Sequence, residues 1–186
     1  MIELLDSLAA RHELLLETGK HFDGSWQAYL YSPDMVYRYA FTRWWAHPDA
    51  STTAVWVLLN PATGDTEQRR RPTLDRCIAW SKRSGFVGLT IVNLFAFRHT
   101  DPRALRTADN PTGPVNDEVL RAVTTAGGKT IAAWGSHGRL NARSTQVAPL
   151  LKEPMCLGTT RTGEPLHPLY VPADRPLTAW APQPAP

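Results

Sequence analysis

The chain has 186 residues, 42% of them hydrophobic, and 20 Lys and Arg against 17 Asp and Glu give a formal net charge of +3. That length suits one domain burying about 70% of its unfolded surface, and the mildly basic balance is compatible with phosphate-bearing partners without identifying them. Two widely separated cysteines, Cys77 and Cys156, make neither a metal-type spacing nor a disulfide framework; no apolar run approaches a membrane span, and Met1-Ile-Glu-Leu-Leu-Asp6 lacks the basic start of a signal peptide, so the expectation is a cytoplasmic protein without a membrane partner.

Ile2, Leu5, Leu8, Ala9, His12, Leu15 and Leu16 recur at three-to-four spacing, which predicts an amphipathic helix closing near Gly19. Residues 1–25 are thus read as a helix and connector, 26–180 as a single α/β domain and 181–186 as a Pro-rich tail. Gln27–Tyr31 and Tyr37–Trp45 are aromatic and alternating around Ser32-Pro-Asp-Met35, a hairpin with a good turn. Arg38 and Arg43 are read as the solvated face of an edge strand, with a ligand-facing basic face as the alternative.

From residue 53 onward, apolar runs alternate with helical segments. Helices are expected over Thr73–Arg83, with Thr73 as N-cap and Gly85 as the stop, from Pro114 to about Thr124, and between Trp134 and Leu151. This alternation predicts a mainly parallel sheet with helices on both faces, preceded by the hairpin.

The strand ends carry the chemistry. Val55-Trp-Val-Leu-Leu-Asn60-Pro61 must stop at Asn-Pro, because Pro cannot donate to a ladder and biases its predecessor away from helix. Leu89–Asn93 ends in Asn, Thr130–Trp134 runs into Gly135-Ser136, and Met155–Leu157 precedes His167-Pro168. In open α/β sheets ligands bind beyond the carboxyl ends of parallel strands, so four tips are expected to converge on one cleft. Each residue also has a plainer reading: Asn60 as an Asx turn, His167 as a cap, Trp134 as core, His137 as an early helical residue. Arg69, Arg70 and Arg71 are either a phosphate grip beside Asn60 or solvated loop surface. Asp65 and Asp75 are candidates for a stronger general base than Asn60, Asp75 reading more simply as a surface charge of its helix near Arg76. Metal, triphosphate-loop, dinucleotide and serine-elbow motifs do not occur, so no metal or cofactor is expected.

The motifs Tyr37-Arg-Tyr39, Leu59-Asn-Pro-Ala-Thr63, Pro72-Thr-Leu-Asp-Arg-Cys77, Val92-Asn-Leu-Phe-Ala-Phe-Arg98, Thr100-Asp-Pro102, Gly113-Pro114, Ala133-Trp-Gly135 and His167-Pro-Leu-Tyr170 together resemble a bacterial family catalogued as domain of unknown function 1643, over roughly residues 30–180. More distantly, Leu-Asn-Pro after one strand, Asn93 after the next, Trp134-Gly-Ser-His137 after a third and His167-Pro168 after a fourth are similar to the uracil-DNA glycosylase superfamily. That resemblance implies a three-layer α/β/α sandwich around a central four-stranded parallel sheet. It implies that Asn60 orients the attacking water, Asn93 reads a base edge and His167 stabilises the departing base; the Ser that follows His-Pro in that superfamily is absent here.

The chemistry can also be argued from the residues alone. Breaking an N-glycosidic bond needs a positioned water and donors aimed at the charge appearing on the leaving base. Asn60 holds a water without deprotonating it, His167 donates, and Asn93 offers one donor and one acceptor. Phe95, Phe97 and Trp80 are candidate stacking aromatics, and Pro61, Gly135 and Ser136 are further substrate contacts. The expected partner is therefore a nucleic acid or a nucleobase-containing small molecule, with a nucleoside or nucleotide N-glycosidase and a non-catalytic binding module as alternatives.

Overall fold

The computed structural model describes residues 1–47, 49–63 and 71–182. Eight strands among them form one mixed sheet: β1 (Leu15–Lys20), β2 (Trp26–Tyr31), β3 (Arg38–Trp44), β4 (Thr53–Leu58), β5 (Gly88–Asn93), β6 (Lys129–Ala132), β7 (Met155–Cys156) and β8 (Thr178–Ala179), in the order β1-β2-β3-β5-β4-β6-β7-β8. Four pairings, β1·β2, β2·β3, β3·β5 and β7·β8, are antiparallel; β5·β4, β4·β6 and β6·β7 are parallel.

The protein is α/β, but the expected mainly parallel four-stranded sheet is overturned. The hairpin is not an appendage before the sheet. It continues it, because β3 pairs with β5 from Phe41↔Ile91 to Trp44↔Gly88. Thr42 Oγ1 donates to the Leu89 carbonyl at 3.0 Å and accepts from Thr90 Oγ1 at 3.0 Å, pinning that register inside the core. Arg38 and Arg43 are therefore buried in an interior strand, not solvated on an edge.

The N-terminal helix also departs from its prediction. Helix α1 (Ile2–His12) ends when Glu13 takes a left-handed conformation at φ 53°, and Leu15–Lys20 leaves as the edge strand β1. Leu15 and Leu16 keep helical spacing with Leu5 and Leu8, yet they pair with Tyr31 and Leu30. Helix α2 (Pro72–Arg83) has Arg71, not Thr73, as N-cap with Pro72 inside the first turn, and it gives way at Ser84 and Gly85, φ +80°. Helix α3 (Asn116–Ala126) starts two residues beyond Pro114, and the segment after Trp134 is a kinked 3-10 stretch followed by the short α4 (Arg143–Val147).

Alternation along β4 divides the core. Val55 and Val57 join Leu5 and Leu8 of α1, Val119, Leu120 and Val123 of α3, and Val147 of α4. Ala54, Trp56 and Leu58 join Leu74 and Cys77 of α2. On that side Trp56 donates its indole N–H to Ser81 at 3.1 Å, and Ser81 donates on to the Cys77 carbonyl at 2.8 Å, so the polar position in α2's buried stripe is satisfied. Among the described residues no helix is long and apolar enough to cross a membrane.

Candidate functional site

A cleft of about 820 Å³ lies beyond the carboxyl ends of the parallel strands. Strand β4 delivers Leu58, Leu59 and Asn60, β5 delivers Ile91 and Asn93, the loop after β6 brings Trp134, Gly135, Ser136 and His137, and the chain after β7 brings Thr160, Leu166, His167 and Tyr170. Arg38 and Phe41 of β3 close one side, and the start of α2, from Arg71 to Leu74, closes another.

Hydrogen bonds between loops hold these tips together. Leu94 and Phe95 N–H donate to the carbonyls of Leu58 and Leu59, and His99 N–H to that of Pro61 at 3.0 Å, locking the β4 and β5 exits side by side. Gly135 N–H donates to the Pro165 carbonyl at 2.9 Å. Gly135 sits at φ +75°, where a Cβ would stand 3.4 Å from that of His167, so glycine both permits the turn and lets the His167 loop approach.

Asn93 is 1% exposed, and neither its Oδ1 nor its Nδ2 has a hydrogen-bond partner among the described residues. Its backbone is fixed: its carbonyl accepts from Asn116 Nδ2 at 3.0 Å, as does the Leu94 carbonyl, which also accepts from Arg143 Nε at 2.8 Å. A buried polar group left unpaired costs about 1–3 kcal/mol. Asn93 is one of the residues lining the cleft, and its two amide atoms are shielded from solvent, so an unmet donor and an unmet acceptor stand at the cleft wall on a fixed backbone, the pair that a bidentate ligand would satisfy.

Asn60 is held differently. Its Nδ2 donates to the His99 carbonyl at 2.8 Å, with the Pro61 carbonyl at 3.4 Å. Both neighbours are acceptors, so nitrogen must face them and Oδ1 is the atom available to a water. At His167, Nδ1 accepts from Leu169 N–H at 3.4 Å, and burial pushes the imidazole pKa below its usual 6.5. The neutral ring then carries its proton on Nε2.

The cleft thus gathers Asn60, Asn93, Gly135, Ser136, His167 and Arg71. Other candidates lie elsewhere. Phe95 is fully buried in the core facing α1 and α3, Trp80 meets Trp56 edge-on at 5.6 Å, and Phe97 packs against Tyr37 and His99, so none of the three lines the cleft. Pro61 stands behind Asn60 through its carbonyl. Asp75 is in the first turn of α2 but off the cleft lining. Arg69, Arg70 and Asp65 lie outside the described residues. Sequence reasoning missed the aromatics that do line the site, Phe41 and Tyr170, and set aside Arg38, which it had weighed as a ligand-facing residue and which is buried in the lining. Their signals were the inward alternation of the hairpin and the position of Tyr170 just after His167-Pro168.

Trp134 belongs to both core and cleft. Its indole N–H donates to Glu164 Oε2 at 2.6 Å, Ser144 Oγ donates to Oε1 at 2.9 Å, and Trp180 packs edge-on at 4.9 Å. Among the described residues no three His, Cys, Asp or Glu side chains gather as a metal site.

The model of a family described as "Protein of unknown function (DUF1643)" matches residues 38–169. No curated protein and no solved structure matches the chain.

Proposed function

Because the chain belongs to the DUF1643 family, whose description assigns no activity, the reading comes from the cleft itself, and we propose that it hydrolyses the N-glycosidic bond of a nucleobase-containing substrate. The observation that carries this is the buried, unpaired carboxamide of Asn93 in a cavity shared with Asn60 and His167. A nucleobase edge pairs an acceptor with an adjacent donor, the complement of a carboxamide.

With the base on Asn93, a water donating to Asn60 Oδ1 keeps its lone pairs for the anomeric carbon. Its oxygen bonds to that carbon as the carbon–nitrogen bond breaks, and the bonding pair leaves with the base. His167 Nε2–H meets the negative charge that develops there. The water's proton ends on the released base or in solvent, and Asn60, a neutral amide, does not take it. The order of the strand-end motifs, similar to that of the uracil-DNA glycosylases, supports the same assignment.

The test is release of free base from nucleosides, nucleotides and oligonucleotides by the full chain, separated by chromatography, with loss of release in the Asn60→Ala, His167→Ala double variant. Absence of release from every substrate contradicts the proposal. A second reading, binding without hydrolysis, is favoured by one observation: no Asp or Glu occurs among the described residues that line the cleft. Saturable binding with no turnover selects it.

A further inference from the structure

We infer that the ligand is a small nucleotide, with its base on Asn93 and its phosphate against the first turn of α2, rather than a nucleic-acid polymer. This rests on the base-reading role of Asn93 and adds the second anchor point.

The start of α2 is a wall of the same cleft, through Arg71, Pro72, Thr73 and Leu74. The helix is 12 residues long and has no side-chain cap on its first turn, and Pro72 contributes no N–H, so its positive end lies at the backbone of Thr73 and Leu74. Arg71 stands at the N-cap, and Thr63 and Thr100, their hydroxyls 2.7 Å apart, face the same space. Backbone amides, hydroxyls and a guanidinium around one concave wall are the donor set for a phosphate. The independent sign of a ligand in this cavity is Asn93, 1% exposed with both amide atoms unmet.

A phosphate anchor and a base anchor inside one cavity of about 820 Å³ describe a single nucleotide unit. A polymer needs a basic track leading away from the pocket. Among the described residues, three arginines beyond the cleft are paired with acids, Arg11 with Glu118 at 2.9 Å, Arg103 with Asp101 at 2.9 Å and Arg143 with Asp117, while Arg69 and Arg70 lie outside the described residues.

The experiment is isothermal titration of the full chain with the four common nucleosides, their 5′-monophosphates, inorganic phosphate and a mixed-sequence single-stranded oligonucleotide. One monophosphate is expected to bind at least about tenfold tighter than its nucleoside, the gain of one charge-assisted anchor. Arg71→Gln, its folding checked by a thermal melt, should shrink that gap between monophosphate and nucleoside. Equal affinity for nucleoside and monophosphate overturns the phosphate anchor but spares the base-reading role. An oligonucleotide that binds tighter than every monophosphate overturns the small-ligand assignment. Failure of nucleosides, monophosphates and oligonucleotide alike removes the base-reading role, and this inference with it.

Discussion

Asn60 donates its side-chain nitrogen to the His99 carbonyl at 2.8 Å, and this bond decides which end of the amide meets the cleft. With nitrogen committed, Oδ1 can accept from a water and cannot be replaced by the nitrogen without setting an acceptor against a carbonyl. Asn60→Ala should therefore lower kcat by about 10²–10³-fold, the usual cost of one positioned polar group at a reacting centre. Single-turnover base release measures it, and an unchanged rate would remove Asn60 from the reaction.

Asn93 should behave oppositely in stability and in function. Replacing it by the similarly shaped Leu removes a buried amide that nothing satisfies, so Asn93→Leu should raise unfolding stability by about 1 kcal/mol, or roughly 2–4 °C for a domain of this size. The same change should abolish base binding. Thermal and denaturant unfolding of the ligand-free protein read the first effect; a destabilised variant would mean the amide is already satisfied in the native state.

The depressed pKa of His167 makes a signed pH prediction. The unfolded chain binds a proton on this ring more readily than the folded one, so stability rises with pH between the folded value and about 6.5 and levels off above it. Protonation would also abolish the acceptor at Nδ1 that receives Leu169 N–H. The difference in melting temperature between the protein and His167→Asn, followed from pH 5 to 8, should show this rise; a flat difference would contradict it.

Glu164 holds the cleft wall by accepting from Trp134 and Ser144 together. Glu164→Ala leaves a buried indole N–H unmet and should cost about 1–3 kcal/mol. Glu164→Gln should recover most of that, since its oxygen can face Trp134 while its nitrogen donates to the Ser144 hydroxyl. Gly138→Ala should damage the same wall from the other side, because a Cβ there would stand 2.1 Å from Trp134 Cδ1. Denaturant melts of the three variants check this ordering.

The strand tips were legible because they rest on short-range rules. The Asn60-Pro61 pair lies just past the end of β4, which stops at Leu58, and Gly135 turns because glycine tolerates its positive φ. The sheet as a whole was not legible. Leu15 and Leu16 fit the stripe of α1, and no glycine marks the reversal, which Glu13 makes with a left-handed backbone of its own. Whether the hairpin stands apart or pairs with β5 depends on the long-range Thr42–Thr90 contact, which local pattern does not carry. The stacking candidates failed for a related reason: Phe95 and Phe97 follow Asn93 closely in sequence, but the chain after β5 turns one into the core and lays the other against Tyr37.

The most direct measurement is the side-chain amide resonance of Asn93 in 15N-labelled full-length protein, assigned by its loss in Asn93→Leu and followed as free nucleobases are titrated. A base that binds should shift the Nδ2 protons of Asn93 and slow their exchange with water, and the variant should not bind it. Binding that leaves this resonance in place, or that survives in Asn93→Leu, would contradict the account.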